Sequence, residues 1–322
     1  MGDLVPDKFA VGVDLGGTKI LASVVNLNNG KLLSSSKKKT RIVNDGQELV
    51  KRIGAVVEDA LTDAAMDISK ICGIGIGAAG MVDRDKGILL AAANIGTNDL
   101  PISDPLKAQF GVPVKLGNDV EVATIGELNF GAGQECSNFV CIFVGTGIGS
   151  GIVHEGKLMR GGSGTAGEIG HIIVDPNGGM CGCGGYGCLE TYASRTAVAK
   201  SVLYDLGRGL DSVLRDKIDP QKGVLRSKAI AQAIETGDSV TIRAVDKAAQ
   251  MMGIGLANVI NFYNPKRIIL GGGLIEAVPR FLQVAEEEAR RRCLKIPSRK
   301  TEIVQAQLGD YAGTIGAALL AR

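Results

Sequence analysis

The chain has 322 residues, 45% of them hydrophobic, which is enough to bury a full core and to divide into two domains. Its 36 basic and 34 acidic side chains nearly cancel to a formal charge of +2, which argues against a nucleic-acid surface or an acidic disordered tail and for a small-molecule partner. No run of eighteen apolar residues occurs and the opening MGDLVPDKFA is too polar for a signal peptide, so the expectation is a soluble, cytoplasmic protein with no membrane contact.

In chain order, KFAVGVDLGGTKILASVVNL reads as a strand, a glycine turn at residues 15 to 18, and a second strand rich in β-branched residues. A third strand is expected near 32 to 36. Residues 46 to 66 space Leu49, Ile53, Val56, Val57, Ala60 and Leu61 as one face of a helix, and ICGIGIG is a short buried strand. A strand at 112 to 116 leads to GNDVEVATIGELNFG, where Asn118 or Asp119 starts a helix with Val122, Ile125 and Leu128 on one side. NFVCIFVGTGIGSGIVHEGK then repeats the opening scheme of strand, glycine turn and strand. Two copies of one device predict two similar α/β halves facing each other across a cleft, with a boundary near residue 120. Helical patterns fill 225 to 262, PKRIILGGGL returns to strand and glycine turn, and 279 to 293 is another helix. The tail GDYAGTIGAALLA is a small-residue helix suited to close packing.

Forty-six glycines make spurious motifs easy to find. Gly75, Gly77 and Gly80 satisfy G-x-G-x-x-G after a strand, but the following MVDRDKGILL reads as a charged turn between strands. No helix N-terminus would then face a pyrophosphate, so a dinucleotide fingerprint is set aside. A G-x-x-x-x-G-K-[ST] phosphate loop occurs nowhere. DLGGTK and GTGIGSG fit phosphate binding differently, as tight turns whose bare glycines let backbone N–H groups approach an anion, with Thr18 and Thr146 as hydroxyl donors. Asp14, beside such phosphates, makes sense only with Mg²⁺ nearby, bound directly or through water. The bland alternative is a pair of ordinary hairpin turns.

MCGCGGYGCLET sets Cys181, Cys183 and Cys188 close together in a chain of seven cysteines, and His171 lies ten residues before Cys181. Cys-x-Cys-x₄-Cys preceded by a histidine, across the turn-formers Asp175, Pro176, Asn177, Gly178 and Gly179, fits a structural Zn²⁺. The alternative is a glycine-rich loop with incidental free thiols. Such a zinc has no open position, so its role would be to stiffen a rim. The second imidazole nitrogen of His171 would be a donor of fixed tautomer facing a hydroxylated ligand, with Glu168 and Glu190 as acceptors. Cys72, Cys136, Cys141 and Cys293 are expected to serve packing alone, and His154 to sit exposed at a strand end.

DLGGTK, GND followed by a helix, GTGIGSG, GEIGH, CGCGGYGCLE and GGGL together resemble the ROK family of repressors, open reading frames and kinases, within the actin-like ATPase and hexokinase superfamily, and most nearly its bacterial zinc-containing glucokinases. The resemblance runs from Val11 to the C-terminal helix. It implies a two-domain, ribonuclease H-like hexokinase fold with a central cleft, with residues 1–119 plus 308–322 as a small domain and 120–307 as a large one carrying the zinc loop. It also implies ATP-dependent phosphorylation of a hexose on its 6-hydroxyl, in a homodimer or higher homo-oligomer with no nucleic-acid partner. By similarity Asp119 is the general base, and Asn94, Asn118, Asp119, Glu168, His171 and Glu190 meet the sugar. Asp14, Gly16, Gly17, Thr18, Lys19, Gly145, Thr146 and Gly147 surround the phosphates and Mg²⁺, Gly272 and Gly273 lie near the adenosine, and His171, Cys181, Cys183 and Cys188 hold zinc.

On residue chemistry Asp119 is expected to be an ordinary ionised carboxylate at a helix start, or else merely a helix cap. Two departures from the family pattern concern the sugar pocket: Ala79 stands where a proline is common, and Asn98 near the place of a tryptophan, a residue absent from this chain. Mannose, fructose and N-acetylated hexosamines such as N-acetylmannosamine are therefore alternative substrates. The family's repressors offer a second reading, a sugar-sensing regulator, but a DNA-binding helix-turn-helix has no room before a first strand at about Phe9.

Overall fold

The computed structural model describes residues 8–40, 46–92, 96–218 and 223–322; Asn94 lies outside them. The chain forms two compact units, Met1–Gln134 with Asp310–Arg322, and Glu135–Gly309. In the first, β1 (Phe9–Leu15) pairs antiparallel with β2 (Lys19–Asn26), and β2 with β3 (Leu32–Lys39). Helix α1 (Gly46–Asp63) leads to β4 (Ile71–Ala78), parallel to β1. A small antiparallel sheet of β5 (Met81–Asp83), β6 (Ile88–Ala92) and β7 (Thr97–Pro101) follows, as expected of a charged turn between strands. Then come α2 (Ser103–Phe110), β8 (Val114–Asn118) parallel to β4, and α3 (Asp119–Phe130).

The second unit begins with the antiparallel strands β9 (Phe139–Val144), β10 (Ile148–His154) and β11 (Lys157–Leu158). Helices α4 (Leu189–Ala193), α5 (Arg195–Gly207), α6 (Ser227–Glu235) and α7 (Ser239–Tyr263) precede β12 (Arg267–Gly271), parallel to β9. After α8 (Gly273–Ala277), α9 (Pro279–Arg292) and α10 (Lys295–Lys300), β13 (Glu302–Gln305) runs parallel to β12. Helix α11 (Ala312–Leu319) returns to the first unit.

The two main sheets have the orders β3-β2-β1-β4-β8 and β11-β10-β9-β12-β13, which is one topology used twice. The repeated strand-turn-strand pattern of the sequence reflects this, because each copy opens a three-stranded antiparallel ribbon whose first strand then takes a parallel partner. Each unit also has its own core. In the first, all six predicted apolar positions of α1 are buried, each aliphatic contributing about 1.5–3 kcal/mol.

Helix α11 packs backbone to backbone, as its small residues predict. A Cβ on Gly12 would fall 1.8 Å from the Thr314 carbonyl oxygen, one on Gly75 would fall 1.7 Å from that of Ala317, and one on Gly316 would fall 1.6 Å from that of Val122. Gly77 lies against Val122 of α3, where a Cβ would meet Cγ2 at 2.3 Å, and Gly80 has φ +147°, a conformation side chains avoid. The G-x-G-x-x-G of β4 is thus accounted for by helix packing and a turn.

Three readings need correction. The buried face of α3 is Val122, Ala123, Thr124, Gly126 and Glu127, while Ile125 and Leu128 are partly exposed, because close approach to α11 selects small residues. That packing also carries the first unit past residue 119 to Gln134. Cys72 is exposed and not a core residue; its thiol donates to the Phe9 carbonyl at 3.0 Å, whereas Cys136, Cys141 and Cys293 are buried as expected. His154 is exposed at the end of β10, 3.3 Å from the Tyr263 hydroxyl.

Candidate active site

Both glycine turns join the antiparallel strands that open a sheet, β1 to β2 and β9 to β10. Each is closed by one backbone bond, Gly16 N–H to the Lys19 carbonyl at 3.0 Å and Gly145 N–H to the Gly147 carbonyl at 2.9 Å. At both tips the threonine, Thr18 or Thr146, is exposed. The N–H groups of Gly17, Thr18, Thr146 and Gly147 have no protein acceptor among the described residues, so each turn offers two free donors beside a threonine. Gly16 and Gly145 have donors already spent on the turn itself.

The first unit surrounds its turn with carboxylates. Asp14, half-buried near the end of β1, has room because Gly313 of α11 carries no side chain; a Cβ there would lie 3.1 Å from the Asp14 carboxyl carbon. Burial first, then the neighbouring charges of Asp119 and Asp310, push Asp14 up to about 6, against an opposing pull from Lys19. Lys19 in turn pairs with Asp310 at 3.4 Å. Asp310 was not anticipated from sequence, where GDYAG reads only as the start of a packing helix. Such a concentration of negative charge beside a phosphate-type turn suits a divalent cation.

Asp119 is the first residue of α3, and the helix cap is Asn118, whose Oδ1 accepts the N–H groups of Val120 at 3.0 Å and Glu121 at 3.2 Å. Asn118 Nδ2 donates to the Gly80 carbonyl at 3.1 Å. The Asp119 carboxylate is not an ordinary one. Crowding by protein pushes its pKa up, and hydrogen bonds from the helix start, including Val120 N–H at 3.0 Å, only partly offset this. The Glu121 charge beside it is tied to Arg84 through two hydrogen bonds, one of 3.1 Å.

The second unit surrounds its turn with a carboxylate, a cation and a thiol cluster. Glu190, in the first turn of α4, accepts the Ile148 N–H at 2.8 Å through Oε2, and Gly147 is bare because a Cβ would lie 2.3 Å from that oxygen. One oxygen of Glu190 therefore braces the turn, leaving Oε1 for a ligand. Glu168 is exposed, and its carboxylate has no partner among the described residues. Arg195, unanticipated from sequence, donates from Nη2 to the Thr146 hydroxyl at 2.8 Å. Gly272 has φ +89° and lies against the backbone of Val144, with Gly273 opening α8.

His171, Cys181, Cys183 and Cys188 present ligand atoms that all lie within 4.8 Å of one another. Cys181 Sγ is 3.7 Å from His171 Nδ1, and Cys183 Sγ is 3.7 Å from Cys188 Sγ. Four ligands at about 2.3 Å around one tetrahedral ion would be separated by about 3.8 Å, so the spacing fits a four-coordinate metal. Burial, then Cys183 and Cys181, push the Cys188 thiol up, so the cluster does not favour three thiolates without a cation. The isolated bridges Ile173 to Cys188 and Met180 to Tyr186 hold the loop in shape.

The ROK family profile matches residues 10–322 of this chain. The chain is a member of the ROK family. A glucokinase of Halalkalibacterium halodurans is 35% identical over 98% of this chain and 96% of its own length. The crystal structure of a ROK family glucokinase from Streptomyces griseus in complex with glucose and AMPPNP superposes with a TM-score of 0.85 and 36% identity, covering 98% of this chain and 99% of that one. A ROK relative of another kind, the xylose repressor of Caldicellulosiruptor bescii, is 29% identical over 95% of this chain but only 76% of the repressor. The mixed α/β, actin-like fold expected of ROK sugar kinases is therefore the fold of this chain. Among the described residues no helix is long and apolar enough to cross a membrane.

Proposed function

We propose that the protein is an ATP-dependent glucokinase that transfers the γ-phosphoryl group of ATP to the 6-hydroxyl of glucose. The observation that carries this reading is the likeness, over nearly the whole of both chains, to a glucokinase whose structure holds glucose and an ATP analogue. The local chemistry agrees with it. As the sugar oxygen bonds to phosphorus and the bond to the ADP oxygen breaks, Asp119 accepts the hydroxyl proton. Burial raises its pKa, which makes it a stronger proton acceptor than an ordinary carboxylate. The transition state is loose, so positioning and charge neutralisation outweigh covalent help. The free N–H groups and threonine hydroxyls of the two turns receive phosphate oxygens.

Asp14 would hold Mg²⁺, directly or through water, and its chemistry there is to offset the phosphate charge. His171, Cys181, Cys183 and Cys188 would hold Zn²⁺, whose contribution is rigidity. With Nδ1 turned to the cluster, His171 keeps Nε2–H for a sugar hydroxyl, and Oε1 of Glu190 and the carboxylate of Glu168 are the proposed acceptors for others. Asn118 adds its remaining amide hydrogen, and Asn94 completes the proposed sugar set. Gly272 and Gly273 receive the adenosine, where a side chain would obstruct it. Free thiols suit a reducing cytoplasm, and assembly as a homodimer or higher homo-oligomer belongs to the same reading.

The test is sugar-phosphate production from ATP and Mg²⁺ across a panel of glucose, mannose, fructose and N-acetylmannosamine, read as kcat/KM. Glucose is expected to lead. A different leader would move the assignment to another hexose, and no turnover with any of them would favour a sugar sensor.

A further inference from the structure

Helix α5 begins on the β9–β10 turn and is bound to it at three points. Arg195 N–H donates to the Gly145 carbonyl at 2.9 Å, Thr196 Oγ1 to the Thr146 carbonyl at 2.7 Å, and Arg195 Nη2 to the Thr146 hydroxyl at 2.8 Å. The helix is capped by Ser194, whose side chain accepts the Ala197 N–H at 3.1 Å. Arg195 is thus fixed at both its backbone and its guanidinium, which leaves little freedom to swing away.

Two features set this arginine apart from most of the engaged arginines among the described residues. Among the described residues no carboxylate pairs with it, whereas Arg84, Arg243, Arg267, Arg280 and Arg290 each face one. Burial pulls its pKa down with no charged neighbour to offset the cost, so the guanidinium is partly desolvated and lacks a counter-ion. The hydrogen-bond direction at Thr146 is equally informative. An arginine can only donate, so the Thr146 oxygen accepts, and the hydroxyl hydrogen is left to point to another acceptor. The same turn supplies the unspent N–H groups of Thr146 and Gly147. A fixed cation, a hydroxyl with its hydrogen free and two bare amides together make a donor set that complements a phosphate group.

We propose that Arg195 binds the phosphate chain of the nucleotide donor, giving the second turn its positive charge and orienting the Thr146 hydroxyl toward a phosphate oxygen. The proposal rests on the kinase reading and deepens it. The first turn has Lys19 paired to Asp310 and Asp14 beside it, so its one cation is already offset by acids. At the second turn the one acid, Glu190, is bound to the Ile148 N–H and makes no ion pair with Arg195 among the described residues, so a phosphate would complete the pair.

The experiment is calorimetric titration of ATP, ADP and adenosine into wild type, Arg195→Met, Arg195→Lys and Arg195→Met/Thr146→Val, at low and high salt, with melting curves for each variant. Every variant keeps the backbone bond from residue 195 to Gly145. Arg195→Met is expected to weaken ATP and ADP by about 10- to 100-fold and to flatten the salt dependence, with adenosine affinity unchanged. Arg195→Lys should recover part of the loss, since it restores charge without the fork. Adding Thr146→Val to Arg195→Met should cost little more, because the hydroxyl has already lost its orienting partner. Arg195→Met that binds ATP as tightly as wild type overturns this inference alone, as does a variant that loses adenosine and ATP affinity equally. Wild-type protein that binds no ATP overturns the kinase reading with it. Should Arg195→Met fail to fold, Arg195→Lys decides the matter, and full ATP affinity with unaltered salt dependence there overturns the role given to the guanidinium.

Discussion

The two units repeat one sheet order and one glycine turn, yet the turns lie in opposite electrostatic surroundings. Around the first stand Asp14, Asp119 and Asp310, with Lys19 already paired. Around the second stand Arg195 without a counter-ion and a glutamate, Glu190, whose one oxygen is spent on bracing the turn. The turns themselves do not create this contrast, since both end in half-buried glycines and an exposed threonine. It comes from Asp14 at the end of β1 and from the residues packed beside each turn. Helix α3 brings Asp119 and the short turn before α11 brings Asp310 to one hairpin, while α4 and α5 bring a bound carboxylate and a cation to the other. A duplicated scaffold thus supplies the same free backbone donors twice, and different surrounding residues leave one turn suited to base and metal and the other suited to phosphate.

The sharpest way to break this division is at Asp119. Asp119→Asn keeps the shape of the first turn of α3 and should lower kcat by on the order of 10² to 10⁴, with melting behaviour retained. The base works ionised, so wild-type kcat should fall as pH drops through a pKa that burial has raised above the usual carboxylate range. That acid limb should vanish from the residual rate of Asp119→Asn; a limb that persists unchanged belongs to Asp14. Near wild-type turnover in the variant would remove the base from the acidic unit altogether.

A smaller effect is expected where the second unit carries its thiol cluster. Cys183→Ala should lose bound metal and weaken glucose by about 10- to 100-fold, because His171 is no longer held, while ATP affinity persists. Metal analysis with paired sugar and nucleotide titrations reads both arms. Full sugar affinity in metal-free protein would show that the cluster and the sugar rim are independent.

The smallest effect concerns the stability of the acidic turn. Asp14 has a folded-state pKa of about 6 against an ordinary 3.8, so the native state holds its proton more tightly than the unfolded chain. Stability is therefore lost as pH rises from about 4 to about 6. In magnesium-free protein Asp14→Asn should be more stable than wild type at pH 7.5 by on the order of 1–3 kcal/mol, and the gain should disappear at pH 4. Equal melting temperatures at both pH values would mean that Asp14 is not strained by its neighbours.

Much of this organisation was legible in the residues. Glycine turns between β-branched strands are local signals, and so is a histidine followed by closely spaced cysteines, which is why DLGGTK, GTGIGSG and the CGCGGYGC loop stand out in the amino-acid order alone. Arg195 and Asp310 were not legible, because neither lies in a recognisable pattern and each acquires its role from a turn far away in sequence, at Thr146 and Lys19. The periodic stripe Val122, Ile125, Leu128 misled for a related reason. Apolar spacing measures hydrophobicity, whereas the face of α3 was chosen by how near α11 can come. The raised pKa of Asp119 is likewise a property of packing, not of its position at a helix start.

The interlocking of α11 with Gly12, Gly75 and Val122 also has a bearing on how the chain is made. Strands β1 and β4 leave the ribosome early, but the helix that fills their glycine-lined groove is translated only after the whole of Glu135–Gly309. The nascent first unit must wait with an open seam while the second can already consolidate, and substitutions that slow release of residues 312–319 should expose that seam to chaperones more than any change in the later-made core.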